Sequence, residues 1–178
     1  MSILKVARIG HPVVRAAAKA VPKEIIRDRL FQKLIDDMRE TMYEYDGVGL
    51  AAPQVHEGLR LAVIHVRGSD ERGDAEVPFT VLINPTTAPV GDDEENGWEG
   101  CLSIPDLRGV VPRPKALKLE ALDRAGEPYS LEAHGFLARV IQHECDHLDG
   151  RVYLDRMEDM RSLTFIKEFE DHVHHDEE

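Results

Sequence analysis

Cysteines and long apolar runs are scarce in this chain of 178 residues, and its 22 basic residues are outnumbered by 34 acidic ones. No uninterrupted apolar stretch approaches the roughly 20 residues that a membrane span requires. The net charge of -12 is opposite to the excess of Lys and Arg with which proteins neutralise phosphates or anionic lipids. Direct binding to nucleic acid or to a membrane is therefore not expected. The opening residues lack the apolar segment of a secretory signal and the Arg- and Ser-rich character of a transit peptide, so we expect a cytoplasmic protein.

Only two cysteines are present, Cys101 and Cys145. A reducing cytoplasm disfavours a disulfide between them, so each must be a buried thiol or a reactive or metal-binding one. The length suits one hydrophobic core rather than two. We predict a single domain over residues 1–170, followed by an acidic, flexible tail over residues 171–178.

Hydrophobic periodicity predicts helices at both ends of the chain and strands between them. Apolar residues recur every four positions from Pro22 to Tyr45, which is typical of a long amphipathic helix. Helical periodicity returns in the segments Gly135–Leu148 and Met157–Val173. Short runs of β-forming residues predict a mostly antiparallel sheet, and they lie at Leu61–Val66, Thr80–Val90, Leu107–Val111, Leu117–Leu122 and Tyr129–Ala133. Polar, Gly-rich stretches predict solvated loops at Gly68–Pro78 and Gly91–Gly97.

The helix Gly135–Leu148 carries His143, Glu144 and His147. At about 100° per residue, two histidines four positions apart lie within about 40° of each other and can bind one ion. Glu144 lies close enough to accept a proton from a metal-bound water, which is the general base of metallohydrolases. Cys145 falls on the opposite face and is predicted to be a buried core residue. The competing interpretation is an amphipathic helix with two surface histidines.

A catalytic metal site needs a third protein ligand and one open position. Cys101 is the best third ligand, because Gly97 and Gly100 allow the backbone to approach closely and Pro105 ends the strand. Taken alone, Cys101 would be interpreted as a buried free thiol. His134 would complete a closed site with four ligands, in which the metal is only structural. A thiolate beside two imidazoles suits Fe(II), Zn(II), Co(II) or Ni(II).

A glycine-rich segment from Gly47 to Gln54 begins in the pattern of a dinucleotide-binding fingerprint, but it follows a helix instead of opening one. We interpret it as a strand-like edge of small residues lining a narrow cleft. Beside a metal, Gln54 is a candidate donor to an oxyanion. The alternative is an ordinary packed turn in which Gln54 caps backbone groups.

Three motifs in this order resemble those of peptide deformylase: Gly-Val-Gly-Leu-Ala-Ala-Pro-Gln at 47–54, Glu-Gly-Cys-Leu-Ser at 99–103 and Gln-His-Glu-Cys-Asp-His-Leu at 142–148. The resemblance extends from Gly10 to about Phe169. It implies an α+β fold with mostly antiparallel sheets around a central metal-binding helix, a long N-terminal helix and a C-terminal helix. It also implies removal of the formyl group from the N-terminal formyl-methionine of newly made peptides, with release of formate.

By matching positions, the resemblance implies that Cys101, His143 and His147 bind the metal, commonly Fe(II) in bacterial members. A metal-bound hydroxide would attack the formyl carbon with Glu144 as general base and acid. The side chain of Gln54 and the backbone N–H of Leu102 would stabilise the tetrahedral oxyanion. Only Leu102 is added by the resemblance, because the residues themselves point to the other roles.

The resemblance implies a methionine pocket around Val48 and Gly49 and around Phe136, Arg139 and Val140 of the metal helix. Some relatives have an apolar residue at the position of Arg139. The guanidinium of Arg139 would alter side-chain selection if it reached the pocket mouth. Alternatively, the apolar stem of Arg139 covers apolar surface. Arg108 is a further candidate that would bind the peptide backbone. Some relatives approach the ribosome through a basic C-terminal helix, whereas this chain ends acidic, so at most transient proximity to the ribosome is expected.

Two other functions stay open from the sequence. The first is a general peptidase that uses the same His-Glu-x-x-His helix, although Cys101 as the third ligand argues against it. The second is a non-enzymatic protein with a closed structural metal site.

Overall fold

The structure is a computed structural model that describes residues 2–66 and 76–172. Three α-helices occur in this part of the chain: α1 (Arg29–Glu44), α2 (Gly135–Leu148) and α3 (Ile166–His172). The same residues form eight strands: β1 (Gly49–Ala51), β2 (Leu61–Val66), β3 (Val77–Pro89), β4 (Glu94–Cys101), β5 (Ile104–Pro114), β6 (Ala116–Leu122), β7 (Pro128–His134) and β8 (Thr164–Phe165). None of these helices is both long enough and apolar enough to cross a membrane.

The strands form two antiparallel sheets. The larger has the order β1-β2-β3-β6-β7, and the smaller has the order β4-β5-β8. In the smaller sheet β4 and β5 form a long hairpin, whose turn at Leu102 and Ser103 directly follows Cys101. Helices and antiparallel sheets together give the α+β fold that the motifs imply.

The larger sheet has a helix on each face, and the alternation of side chains along β2 shows why. Leu61 and Val63 pack with α1, whereas Ala62 and Ile64 pack with α2. Successive residues of a strand point to opposite faces, so a strand covered on both sides needs apolar residues at every position. Helix α2 also contacts β5 of the smaller sheet. It therefore lies between the two sheets, where its side chains can meet residues from both.

Helix α1 is shorter than its periodicity predicts. It begins at Arg29, and the preceding segment forms a short 3-10 turn at Lys23–Ile25. Leu30 belongs to the apolar residues that recur every four positions, and the periodicity therefore predicts that it is buried, but it is 81% exposed. The buried face is instead made by Phe31, Ile35, Met38 and Met42, with Asp37 and Thr41 also buried. Apolar residues spaced by four occur in a helix, but a short turn that buries Ile26 gives the same spacing. Pro22 favours the turn, because proline lacks the N–H that a helix interior requires.

Two further predictions of secondary structure are wrong in part. Met157–Val173 is not one helix, since it contains a 3-10 turn at Met160–Ser162, then β8, and only then α3. We predicted a loop at Gly91–Gly97, but β4 already begins at Glu94. Its first residue, Glu94, pairs with Pro114 at the end of β5. Long-range pairing outweighs the low strand propensity of these acidic residues.

The predicted loop Gly68–Pro78 lies mostly outside the described residues, except that Val77 and Pro78 begin β3. The predicted tail lies outside them from residue 173 onward, and α3 includes Asp171 and His172.

The N-terminal segment is extended and forms backbone hydrogen bonds with two separate parts of the chain, the glycine-rich segment and the β4–β5 turn. The N–H of Ala7 donates to the carbonyl of Gln54 over 2.7 Å, and the N–H of Ile9 donates to the carbonyl of Ser103 over 2.8 Å. Further along, the N–H of Ala18 donates to the carbonyl of Leu148 at the end of α2, over 2.8 Å. These bonds hold the glycine-rich segment and the β4–β5 turn against one strip of backbone.

Gly150 occupies a position that no other residue fits, and Gly150→Ala is expected to lower the free energy of unfolding by about 2–3 kcal/mol. Its φ is +73°, and an added Cβ would lie 2.5 Å from the backbone carbonyl oxygen of Arg15. Urea unfolding measures the loss. Gly58→Ala is the matched control, because nothing lies within 4 Å of a Cβ there. Equal unfolding midpoints for the two variants would contradict the clash.

Candidate metal centre

Two elements supply a cluster of three candidate metal ligands. Helix α2 contributes His143 and His147, whose rings lie 5.0 Å apart, and the end of β4 contributes Cys101. Their ligand atoms all lie within 4.8 Å of one another, and Cys101 Sγ is 3.2 Å from His147 Nε2. Two donors to one tetrahedral ion lie roughly 3.5 Å apart, so this spacing fits a metal ion. No other group of three such residues occurs within residues 2–66 and 76–172.

The environment of Cys101 favours a thiolate. Burial alone would raise the pKa of its thiol, but the adjacent imidazoles of His147 and His143 outweigh burial and hold that pKa well below its usual value. The N–H of Ser103 and the side-chain amide of Gln54 also approach the sulfur, at 3.4 and 3.5 Å. A thiolate with two imidazoles is a donor set that binds borderline-soft divalent ions.

Glu144 points into the same site from α2. It is 4% exposed, and its Oε2 has no hydrogen-bond partner within the part of the chain that the structure describes. Burial raises the pKa of Glu144 to about 7, against the opposing effect of His143 and His147. Space for the carboxylate depends on β1, because a Cβ on Gly49 would lie 2.2 Å from Glu144 Oε1. Any side chain at position 49 would therefore clash with the carboxylate of Glu144.

The orientation of the Gln54 amide is determined by its contacts. Its Oε1 accepts a hydrogen bond from the N–H of Ala51 over 2.8 Å, and Nε2 donates to Ser103 Oγ over 3.2 Å. Gln54 thus caps a backbone group, as expected of an ordinary packed turn. Its NH₂ group also lies beside Cys101, where a donor to an oxyanion would have to be. The two interpretations are compatible because one amide has both an acceptor and a donor end.

A buried ion network supports His143 from behind. Its Nδ1 is 2.8 Å from Glu99 Oε2, which leaves Nε2 for a metal ion. Arg113 donates two hydrogen bonds of 2.9 Å to Glu99 and a third of 2.6 Å to Asp146 on α2. Burial alone would raise the pKa of Glu99, but its bonds with Arg113 and His143 outweigh burial and keep it low. Arg156 binds the other oxygen of Asp146 over 2.6 Å.

Sequence reasoning missed the network of Glu99, Arg113 and Asp146, although two of its members lay inside the quoted motifs. Glu99 is two residues before Cys101, and Asp146 is next to His147. A carboxylate adjacent to a metal ligand is a signal for such support. Its partner Arg113 lies on β5, and nothing local marks it.

The ligand atoms open onto a cleft of about 1730 Å³. His147 is buried and does not line the cleft. The lining includes the other predicted ligands and the predicted catalytic and substrate-binding residues: Val48, Gly49, Gln54, Cys101, Leu102, Arg108, Phe136, Arg139, Val140, His143 and Glu144. His134 lies elsewhere, since its side chain is 66% exposed and pairs with Glu132. It is not a fourth ligand.

Cys145 belongs to the core, as predicted. It is 9% exposed and packs with Ile141 and Leu148 against the larger sheet. Burial raises the pKa of its thiol to about 12, so the two cysteines differ in chemistry as well as in position.

Known proteins match the chain over most of its length. A family model described as Polypeptide deformylase matches residues 3–162. The chain is 47% identical over 166 residues to peptide deformylase 2 of Pseudomonas putida, and the match covers 93% of each chain. It is 46% identical over 161 residues to peptide deformylase 1 of Bordetella pertussis, which covers 90% of each.

Solved structures share the fold. A class I type b peptide deformylase from Acinetobacter baumannii with Met-Ala-Ser bound has a TM-score of 0.84 and 36% identity, covering 88% of this chain and 100% of its own. A peptide deformylase from Synechococcus elongatus in complex with actinonin has a TM-score of 0.79 and 41% identity, covering 91% of this chain and 82% of its own.

Proposed function

The chain belongs to the polypeptide deformylase family, and from this premise we propose that it hydrolyses the formyl amide of N-terminal formyl-methionine on newly synthesised peptides. The products are formate and a free amino terminus. The observation that carries the proposal is the cluster of Cys101, His143 and His147 beside Glu144 at the base of an open cleft.

Cys101, His143 and His147 would hold one divalent ion, and we propose Fe(II) in the cell, with Zn(II), Ni(II) or Co(II) as replacements in purified protein. The donor set supports a borderline-soft ion. When bound, such an ion supplies a Lewis acid that makes water a stronger nucleophile at neutral pH. A site with three protein ligands leaves a position open for chemistry, which a closed structural site does not.

Glu144 would take the proton of the attacking water and deliver it to the nitrogen of the breaking C–N bond. The formyl carbon gains the hydroxyl group and leaves as formate, and the peptide keeps the proton on its new amine. Gln54 Nε2 and the N–H of Leu102 would donate hydrogen bonds to the oxyanion of the tetrahedral intermediate. The fixed Gln54 amide supports this role, because a donor held in place needs little reorganisation during the reaction.

The methionine side chain would enter the pocket formed by Val48, Gly49, Phe136, Arg139 and Val140. Val48 and Phe136 are half-buried and pack against the core behind them. Arg108 would bind the backbone of the peptide. The relative that holds Met-Ala-Ser supports a peptide with an N-terminal methionine as the occupant.

We further propose that the protein acts in the cytoplasm, with formyl-methionyl peptide termini as its partners and at most transient proximity to the ribosome. Its charge of -12 supports no lasting contact with ribosomal RNA.

The test is anaerobic purification with metal analysis, followed by a formate assay on one formylated methionyl dipeptide. Cys101→Ala is expected to lose both bound metal and turnover, because it removes the thiolate ligand. Cys145→Ala is the matched control and is expected to keep both, since that thiol lies in the core. Undiminished metal binding in the Cys101 variant would contradict the ligand set, and cleavage of internal bonds in unformylated peptides would indicate a general peptidase instead.

A further inference from the structure

The guanidinium of Arg139 on α2 is bound by oxygen atoms of the β4–β5 hairpin. It donates to the backbone carbonyls of Glu95, Gly97 and Val111 over 2.6, 3.4 and 2.8 Å. A fourth bond of 2.9 Å goes to Oε1 of Glu99. The side chain of Arg139 is 11% exposed. Its guanidinium therefore connects a helix to both strands of a hairpin, and does not end free at the mouth of the cleft.

The two elements that Arg139 connects are the ones that supply the metal ligands. Arg139 lies one helical turn before His143, and Glu99 lies two residues before Cys101 on β4. Glu99 also binds Nδ1 of His143, so one carboxylate receives both the guanidinium and the imidazole. A displacement of β4 along α2 would break these bonds and move the thiolate relative to the imidazoles.

Gly97 lets the guanidinium come this close to β4. A Cβ at position 97 would lie 2.8 Å from Cζ, Nε and Nη2 of Arg139, and these are the three nearest atoms to it. The glycine and the arginine are therefore complementary in shape. Any larger residue at position 97 must displace the guanidinium.

We infer that Arg139 is a positioning residue, which sets the distance between the Cys101 thiolate on β4 and the two histidines on α2. It acts through the hairpin backbone and Glu99, without itself binding the ion. The inference rests on the proposed function only in taking Cys101, His143 and His147 as the metal ligands. The contribution is geometric, because a planar guanidinium can hold several oxygens in fixed directions and an ammonium group cannot.

The first test compares the affinity of Arg139→Met and Arg139→Lys proteins for Co(II) with that of the unmodified protein. Loss of a residue that orients metal ligands typically weakens metal binding by about 10- to 100-fold, and we expect a loss in that range for Met and an intermediate loss for Lys. The near-UV band of the Co(II)–thiolate bond should shift in both. Arg161→Met is the control, since that side chain is 91% exposed and pairs with Asp159.

The second test uses Gly97→Ala. Alone, this substitution is expected to weaken Co(II) binding as Arg139→Met does, because the new methyl group displaces the guanidinium. Added to Arg139→Met, it is expected to have little further effect, because the clash is gone. Additive losses, or full Co(II) affinity with an unshifted band in Arg139→Lys, would overturn the inference.

These measurements separate the inference from the proposed function. A chain that fails to bind Co(II) at all, with Cys101 intact, contradicts the proposed ligand set. A chain that binds Co(II) equally well with and without Arg139 contradicts only the positioning role. Thermal unfolding of the metal-free proteins shows whether each variant is folded, and we expect that it is, because Glu99 keeps its two bonds to Arg113.

Discussion

Replacing Glu144 with glutamine is expected to lower kcat for formate release by about 10²- to 10⁴-fold while the metal stays bound. Glutamine has the shape of glutamate and fits beside Gly49, but its amide cannot take a proton from water. The neighbouring ligands His143 and His147 are unchanged. Formate release measures the rate, and metal analysis of the same sample measures occupancy.

Glu144→Ala should show the same separation of binding from turnover, with the added loss of side-chain volume. Loss of the metal from the glutamine variant would mean that Glu144 is a ligand and not the base. Undiminished turnover would mean that another group moves the proton. Glu132→Gln is the control for the same chemical change and is expected to leave turnover unchanged, because Glu132 lies on β7, is 55% exposed and pairs with His134.

Arg113→Met is expected to lower the free energy of unfolding by about 3–5 kcal/mol, because it removes the cation shared by two buried carboxylates. Arg113 and Glu99 each have 4% of the side chain exposed, and Asp146 has 6%. Without Arg113, Glu99 keeps its bonds to Arg139 and His143 and Asp146 keeps its bond to Arg156. Both carboxylates are nevertheless buried, so water does not replace the bonds that they lose to Arg113. Denaturant unfolding of the metal-free protein measures the loss.

The control for this experiment is an ion pair that remains in water. Lys118 and Glu120 lie 2.7 Å apart with more than half of each side chain exposed. Lys118→Met should leave the unfolding midpoint unchanged, since such pairs are screened and well hydrated. A similar small change in the Arg113 variant would show that water enters the network and solvates the two carboxylates.

The parts of the fold that the sequence predicts well are those whose burial follows one clear period. Helix α2 has the predicted bounds Gly135–Leu148, and β2 has the predicted bounds Leu61–Val66. Both elements bury well-defined faces, so the spacing of their apolar residues predicts the type and the bounds of each element. Helix α1 was predicted too long because Pro22 and Ile26 share its apolar period while belonging to a turn.

The prediction fails where contacts distant in the chain decide the structure. Strand β4 begins in a run of acidic residues that resembles a loop, and it is a strand because β5 pairs with it. In the same way, the proximity of Cys101 to His143 and His147 was anticipated from their chemistry, whereas the role of Arg113 was not. A ligand can be recognised by its residue type, but a supporting arginine on another strand has no local signature.

The strip of backbone that joins Ala7 to Gln54 and Ile9 to Ser103 has a consequence for the order of assembly during synthesis. Ala7 and Ile9 are made before their partners Gln54 and Ser103, and the helix with His143 and His147 is made later still. Such non-local contacts slow folding, because the chain between them must be ordered before they form. The metal cluster can therefore form only after His147 has been translated, and a nascent chain that ends before α2 has no site at which to act.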